Sequence, residues 1–211
     1  MSQLFVPTER PSVYLASKSP RRQELLRQIG VEFEELLLRE AAGRRRDVLE
    51  VPRKGESALE YVKRIARTKA AVGWHRMGRR GLPAKPVLAA DTEVVLDGAA
   101  LGKPADSASA TQMLEQLSGR SHEVITAVAV RWNAQIALGL ARSQVSFRAL
   151  ARDEIARYTA TGEPFDKAGG YAVQGRAAIF IRHLEGSYSG VMGLPLYETA
   201  EILSKIGYRV I

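Results

Sequence analysis

The chain has 211 residues, 45% of them hydrophobic and 26% charged, with a formal net charge of +8 and no cysteine. This length and apolar content suffice for an α/β domain with a substantial core, and they exclude an intrinsically disordered chain. The lack of cysteine excludes disulfides and thiolate metal sites, and no run approaches the roughly 18–20 apolar residues of a membrane span. Residues 1–11 lack the apolar core of a signal peptide and are interpreted as an N-terminal tail. We therefore expect a cytoplasmic protein without a membrane partner.

Much of the positive charge lies in residues 39–54 and 76–85, which are predicted to be loops. A basic protein can bind nucleic acid, but the same charge suits an enzyme that acts on small polyanions. Aromatic residues, on which single-stranded bases stack, are not interleaved with these basic runs. We interpret both runs as solvated surface and do not expect nucleic acid as a partner.

The first predicted element is a strand at Tyr14-Leu15-Ala16, followed by a small polar turn and a helix from Pro20. Ser19 is a suitable N-cap and proline is favoured at the first helical position. Arg21 and Arg22 then lie in the first turn, where cations oppose the helix dipole. Either they are solvated surface residues, or they face an external anion such as a phosphate.

Hydrophobic periodicity and turn residues predict the remaining elements. The first half contains a strand at 31–38, a helix at 56–74, a buried strand at 87–90, a polar interruption at 91–92, a strand at 94–96, an Asp-Gly hairpin at 97–98 and a helix at 105–117. The second half contains long antiparallel strands at 122–132 and 136–150, a short helix at 153–161, a strand pair around 172–173 and 178–183, and a closing helix at 194–206. This alternation indicates a mixed α/β domain without a linker, over residues 12–208.

Asp91 is the strongest candidate for chemistry. It follows four apolar residues and is therefore predicted at the end of a buried strand, where open α/β sheets bind their ligands. A carboxylate in that place is unfavourable unless it is paired, binds a metal or takes part in a reaction. The alternative is that Asp91 only caps a turn. Thr92 adds a hydroxyl beside it.

Basic residues and glycine-punctuated loops surround this candidate in the sequence. Lys103 lies in a short Gly-Lys-Pro turn, and Lys69 lies at the end of an amphipathic helix. The loops at 163–170 and 186–195 combine glycines with polar and charged residues, which suggests one cleft. The three histidines have no metal-ligand spacing and no serine has a nucleophile-elbow context. Carboxylates with basic residues remain, a set suited to a hard cation and phosphoryl chemistry.

An ordered set of short motifs extends over nearly the whole chain, from about residue 14 to residue 203. The set comprises Leu15-Ala16-Ser17-x-Ser19-Pro20-Arg21-Arg22-x-Glu24-Leu25-Leu26, Gly55-Glu56-Ser57, Tyr61-Val62, Lys69-Ala70, Ala90-Asp91-Thr92, Gly102-Lys103-Pro104, Leu117-Ser118-Gly119, Thr126-Ala127, Glu163-Pro164-x-Asp166-Lys167-Ala168-Gly169, Tyr171, Gln174-Gly175, Gly186-Ser187-Tyr188 and Val191-x-Gly193-Leu194-Pro195. Each motif alone is weak, but together they resemble the Maf family of nucleoside triphosphate pyrophosphatases.

The resemblance implies an α/β fold similar to that of the inosine triphosphate pyrophosphatases, with a mixed twisted sheet, flanking helices and two lobes around a central cleft. It also implies hydrolysis between the α- and β-phosphates, which releases a nucleoside monophosphate and pyrophosphate with the help of Mg²⁺ or Mn²⁺. Asp91 matches the catalytic proton acceptor. The residues that match phosphate-binding positions are Ser17, Arg21, Arg22, Lys69, Lys103 and Lys167.

Three positions separate the substrate groups of the family, and here they are Arg21, Thr92 and Gln174. They look like the group that favours dTTP and UTP rather than the group that favours 7-methyl-GTP. A glutamine side chain carries both a donor and an acceptor, which suits the edge of a thymine or uracil ring.

The metal-binding residues implied by the resemblance are Asp91 and a glutamate. The family commonly has an acidic pair before the Gly-Glu-Ser motif, and counting back from that motif places Glu50 on the second acid and Leu49 on the first. An arginine-rich insertion precedes this stretch, and Glu40 is a rival candidate.

Three functional hypotheses follow. The first is a cytoplasmic dTTP/UTP pyrophosphatase that removes unwanted nucleotides. The second is a pyrophosphatase of the same class that acts on modified pyrimidine nucleotides. The third is a non-catalytic basic protein that binds nucleic acid or a partner and is linked to division or septum control. A nucleoside triphosphate is the expected partner, and a homodimer is left open.

Overall fold

The computed structural model describes residues 12–39 and 47–210. In this part of the chain seven strands form one mixed sheet in the order β2-β1-β3-β5-β6-β7, and β4 pairs with the end of β3. The strands are β1 (Ser12–Leu15), β2 (Glu32–Glu35), β3 (Val87–Leu96), β4 (Ala99–Ala100), β5 (Ser121–Trp132), β6 (Gln135–Phe147) and β7 (Ile181–Glu185). Strand β1 is parallel to β2 and β3, and every other pair is antiparallel.

Helices flank the sheet on both faces. They are α1 (Pro20–Gln28), α2 (Ala58–Arg79), α3 (Ser107–Leu117), α4 (Arg152–Ala160), α5 (Tyr188–Met192) and α6 (Leu196–Lys205), with 3₁₀ turns at Ala168–Gly170 and Arg176–Phe180. None of the helices in residues 12–39 and 47–210 combines the length and the apolar character needed to cross a bilayer.

Three hydrophobic cores hold these elements together. On one face α2 packs against the sheet through residues such as Ile65 and Ala66. On the other face β3 contributes to two cores in turn: Ala90 packs with α1 and α6, whereas Val94 packs with α3, α4 and the aromatic side chain of Phe147. The prediction of a mixed sheet with flanking helices and a cleft between two lobes is confirmed.

The open edge of β3 positions this cleft. Strand β1 pairs with β3 only at Val87 and Leu88, and β4 pairs with it only at Val95 and Leu96. Among the described residues, no strand covers the stretch between them on this side, while β5 pairs continuously on the other side. A ligand can therefore reach the middle of β3 at its edge.

Several predicted boundaries were wrong, and each error has a physical cause. Residues 91–92 do not interrupt a strand, because β5 continues the ladder through them, so Asp91 lies in the middle of β3 and not at a strand end. Helix α2 begins at Ala58 and extends to Arg79, so part of the second basic run is helical. Residues 172–173 form no strand, since Gly175 introduces a turn and a 3₁₀ helix there.

The end of β6 and the closing helix also differ from their predicted ranges. Strand β6 ends at Phe147, where a bulge shifts its register with β7. The closing helix divides into α5 and α6, because Gly193 takes a left-handed conformation (φ +116°) and Pro195 follows at the N-cap of α6. Ser19 occupies the N-cap position of α1 as predicted, but its side chain makes no capping bond.

Candidate active site

One cavity of about 780 Å³ opens at the uncovered edge of β3. Its walls come from the β1–α1 loop, α2, β3, the loop before α3 and the loops around α5. The residues that the sequence proposed for the site all line it: Ser17, Arg21, Arg22, Glu50, Lys69, Asp91, Thr92, Lys103, Lys167 and Gln174. Glu40, the rival metal ligand, lies outside the described residues. The structure thus brings the proposed residues together, and their individual roles stay predictions.

A lysine joins the two proposed metal ligands at the centre of the cavity. Lys69 Nζ lies 2.8 Å from Asp91 Oδ1 and 2.9 Å from Glu50 Oε1. Asp91 is 7% exposed, and burial raises the pKa of its carboxyl, although the charges of Lys69 and Arg22 act in the opposite direction. Burial also acts to raise the pKa of Glu50, but the nearby lysines more than offset it and the net shift is downward. Asp91 is thus a buried carboxylate whose pKa is set by burial and by a neighbouring ammonium, which is typical of a catalytic acid or base.

The two carboxylates fit a magnesium or manganese ion that also binds phosphate. Within the described residues no cluster of three or more histidine, aspartate or glutamate side chains could hold a metal by itself. Mg²⁺ is usually held by one or two carboxylates together with substrate phosphates and water, and not by a complete protein cage. Glu50 and Asp91, held by the same lysine ammonium, provide such a pair.

Glu93 is a neighbouring acid that the sequence reasoning missed. Side chains alternate along a strand, so Glu93 lies on the same face of β3 as Asp91. Burial, and next the charge of Asp91, raise the pKa of Glu93 to about 7, while the Gly102 N–H donates a hydrogen bond to its carboxylate. The spacing of two residues between Asp91 and Glu93 could have predicted that both acids lie on one face of a strand.

Arg22 binds three parts of the cavity wall at once. Its Nε donates to the Gly193 carbonyl at 2.8 Å, Nη1 lies 3.2 Å from Ser17 Oγ, and Nη2 lies 3.4 Å from Thr92 Oγ1. Ser17 Oγ also accepts a hydrogen bond from the Ser19 N–H at 3.2 Å. The interpretation of Arg22 as a solvated surface residue is therefore wrong, since its guanidinium fixes the strand–turn–helix loop to β3.

Arg21, Lys103 and Lys167 differ in how accessible their charged groups are to a ligand. Burial lowers the pKa of Arg21, opposed by the charge of Asp166, so this guanidinium is half-buried near an acid. Lys103 is exposed in the cavity. Lys167 Nζ instead donates to the carbonyls of Glu163 at 2.5 Å and Phe165 at 3.4 Å, which are groups of its own loop.

The turn that carries Gln174 is held by a carboxylate. Glu163 Oε2 accepts a hydrogen bond from the Arg176 N–H at 3.0 Å, and Oε1 accepts one from the Ala177 N–H at 3.4 Å. Gly175 permits this approach, because a Cβ added there would lie 2.3 Å from Glu163 Oε1. Gln174 itself is exposed, and its side chain has no hydrogen bond within the part of the chain that the structure describes. Its amide is free to bind a ligand.

Comparison with known proteins shows which family the chain belongs to. The family model described as Maf-like protein matches residues 12–206. A dTTP/UTP pyrophosphatase of Nitrosomonas europaea is 53% identical and one of Nitrosospira multiformis is 56% identical, each over 94% of this chain and 96% of its own length. Among solved structures, the Ham1 protein of Staphylococcus aureus aligns with 64% of this chain and 71% of its own, at 11% identity and a TM-score of 0.42. The chain belongs to the Maf family.

Proposed function

We propose that this protein is a nucleoside triphosphate pyrophosphatase that hydrolyses dTTP and UTP to the monophosphate and pyrophosphate and so removes unwanted nucleotides. The observation that carries the proposal is the contact of Lys69 with both Asp91 and Glu50 in a cavity lined with basic residues. Relatives that are 53% and 56% identical over nearly the whole chain are named dTTP/UTP pyrophosphatase, which supports the substrate assignment.

The reaction breaks the bond between the α-phosphorus and the bridging oxygen, and a water oxygen forms the new bond to phosphorus. Asp91 accepts the proton of that water. Lys69 favours the ionised form of Asp91 and holds its carboxylate in place. Pyrophosphate leaves with the bridging oxygen, and Arg21, Arg22 and Lys103 balance its charge together with the charge of the α-phosphate.

Glu50 and Asp91 would hold Mg²⁺ or Mn²⁺, which supplies charge neutralisation on the phosphate oxygens when bound. The first turn of α1 lines the same cavity together with Ser17 and Lys18, and a helix N-terminus favours anions. Arg21, Thr92 and Gln174 would contact the base. We also infer a cytoplasmic location, since nucleotide pools and a chain without cysteine both fit that compartment.

The test is to offer the purified protein, with Mg²⁺ or Mn²⁺, a panel of normal and modified nucleoside triphosphates and to measure pyrophosphate and orthophosphate separately. Turnover of dTTP and UTP with release of pyrophosphate is expected. Release of orthophosphate alone would contradict cleavage between the α- and β-phosphates. No turnover of any triphosphate would favour the binding protein over the enzyme.

A matched pair of variants tests the role of Asp91. Asp91→Asn should lower kcat by at least about 100-fold, because a positioned base contributes about 10²–10⁴. Glu56→Gln is the control, since the Glu56 carboxylate is also largely covered and paired with a basic residue of α2, Arg64, and neither residue lines the cavity. It should reduce stability and leave kcat near that of the wild type. Full activity of Asp91→Asn with an intact fold would refute the assignment.

A further inference from the structure

Glu50, one of the two proposed metal ligands, lies on a stretch of chain with little regular structure to hold it. Its side chain is 37% exposed, and its neighbours Leu49 and Val51 are 68% and 53% exposed. Residues 48–52 form neither helix nor strand, and among the described residues their backbone groups make no hydrogen bond to other backbone groups. The position of Glu50 therefore depends on contacts with side chains.

Asp47 anchors this stretch on one side of Glu50. Its carboxylate is 8% exposed, accepts hydrogen bonds from the Arg39 N–H at 2.8 Å and Arg39 Nε at 3.0 Å, and pairs with Arg76 of α2. The Asp47 N–H donates in turn to the Arg39 carbonyl at 3.1 Å. Val48, the next residue, is buried in the core between α2 and the sheet. One carboxylate thus joins the chain before Glu50 to α2.

Three basic residues of α2 contact this segment at successive points. In the order of the segment, the contacts are Asp47 with Arg76, Glu50 with Lys69, and the Val51 carbonyl with Arg64. Lys69 and Arg76 are seven residues apart, which is about 10.5 Å along the helix axis. Asp47 and Glu50 are three residues apart, and extended chain of that length covers about 10 Å. The spacing of the two acids therefore matches the spacing of two cations on α2.

Removal of the Asp47 carboxylate would leave two guanidiniums near each other without an acid between them. Burial, and next the charges of Arg80 and Arg39, lower the pKa of Arg76, so like charges already act on this group. The Asp47 side chain is largely covered, and water therefore screens its ion pairs less than it screens an exposed pair. Without the carboxylate, Arg39 and Arg76 would repel each other and residue 47 would lose its attachment to α2.

We propose that Asp47 is a positioning residue, which holds the chain against α2 so that Glu50 lies beside Lys69 and Asp91. Asp47 does not line the cavity, and it acts through Glu50. The inference rests on the proposed function, because it takes Glu50 as a metal ligand. It deepens that function, because it explains how an exposed carboxylate is kept in place for a metal. Partners that orient a metal ligand tune the affinity for the metal.

The first experiment measures the Mg²⁺ concentration for half-maximal release of pyrophosphate from UTP. Asp47→Ala should raise it about 3–10-fold, less than loss of the ligand itself, with kcat at saturating Mg²⁺ within about two-fold of wild type. Arg76→Met removes the same contact from the other side and should have the same effect. Asp47→Ala should add nothing to Glu50→Gln, because no carboxylate then remains to be positioned.

Glu154→Ala is the matched control. The Glu154 carboxylate also accepts a backbone N–H, that of Ala151 at 3.0 Å, and pairs with a guanidinium, that of Arg148 at 2.6 Å, but none of these residues lines the cavity. Its loss should lower stability and leave the Mg²⁺ requirement unchanged. If Asp47→Ala does not fold, Asp47→Asn, which removes the charge alone, is to replace it.

A spin label tests the position of the segment without an assay of activity. The chain has no cysteine, so Leu49→Cys provides a single attachment point beside Glu50, at an exposed residue outside the cavity. The electron paramagnetic resonance spectrum of this label should show faster motion when Asp47→Ala is added, and no change when Glu154→Ala is added.

An unchanged spectrum, or an unchanged Mg²⁺ requirement in a folded Asp47 variant, would overturn the inference while UTP hydrolysis stands. Absence of any triphosphate turnover in the wild type would instead overturn the proposed function, and with it the metal-binding role that this inference takes from it. The spectrum would still show whether Asp47 holds the segment.

Discussion

Replacement of Gly175 by alanine tests the link between the Gln174 turn and the site. The added Cβ would lie 2.3 Å from Glu163 Oε1 and 2.7 Å from its Cδ, whereas ordinary contacts begin at 3.4 Å. The carboxylate must therefore retreat by about 1 Å, which lengthens its contacts of 3.0 Å and 3.4 Å with Arg176 and Ala177 beyond hydrogen-bond range. The φ of Gly175 is −98°, so backbone strain does not add to the effect.

A hydrogen bond to a charged group contributes about 1.5–3 kcal/mol. One of these two bonds is long and Glu163 is only half-buried, so we expect the free energy of unfolding of Gly175→Ala to fall by about 1–2 kcal/mol. For a chain of this size the Tm should drop by about 2–8 °C. Since the turn carries Gln174, KM for UTP should rise about 3–10-fold while kcat changes little.

Thermal unfolding, urea titration and pyrophosphate release measure these effects. Glu163→Asp in the same chain provides the control, because the shorter side chain withdraws the carboxylate from the added methyl group. The double variant should then be less destabilised than the sum of the two single variants, by about 0.5 kcal/mol or more. Wild-type stability and KM in Gly175→Ala would refute the reasoning.

Three further changes test the charges of the site and the core. Lys69→Met removes a charge that lowers the pKa of Asp91, so the acidic limb of the kcat/KM profile should move to higher pH, and an unmoved limb would contradict the contact. Glu50→Gln should raise the Mg²⁺ concentration for half-maximal activity by at least about ten-fold, whereas Glu60→Gln, at an exposed surface pair, should not. Burial lowers the pKa of His122 to about 4 in the folded protein, so this histidine binds a proton more readily in the unfolded protein. The free energy of unfolding therefore falls as the pH falls from about 6.5 toward 4. Urea titrations at pH 7 and at pH 4 measure this loss. Between these pH values the free energy of unfolding of His122→Gln should fall by about 3 kcal/mol less than that of the wild type, and an equal fall would assign the acid sensitivity to other residues.

Local patterns were enough to find some of the residues that line the cavity, whereas Glu50, Lys167 and Gln174 were indicated only by the resemblance to the Maf family. Arg22 was detected because a cation opposes the dipole at a helix N-terminus, and Asp91 because a carboxylate follows a buried apolar run. Both signals lie within a few residues of sequence. The placement of Asp91 at a strand end failed, since pairing with β5, about 35 residues later, keeps polar residues in the ladder.

The contacts between distant loops that hold the cavity wall in place could not be predicted from the sequence for the same reason. Thr126 and Gly190 are 64 residues apart, and Glu163 and Arg176 are 13 apart across a turn. No periodicity in the sequence brings such pairs together, because they depend on how separate loops pack on the finished sheet. Residues 172–173 were predicted to belong to a strand pair, but the chain turns there, and Gly175 allows the close approach of the Glu163 carboxylate.

The register of β3 against β5 has a consequence for how this sequence can change over evolutionary time. Asp91 and Thr92 are consecutive on one strand, so they point to opposite faces of the sheet, one toward Lys69 and the other toward Thr126. Deletion of a single residue within β3 would move its side chains to the opposite face of the sheet. A carboxylate would then lie between two hydrophobic cores. Additions to the Asp97–Gly98 hairpin leave the alternation intact. Lineages of this chain should therefore vary in the length of their loops and hold the length of β3 constant.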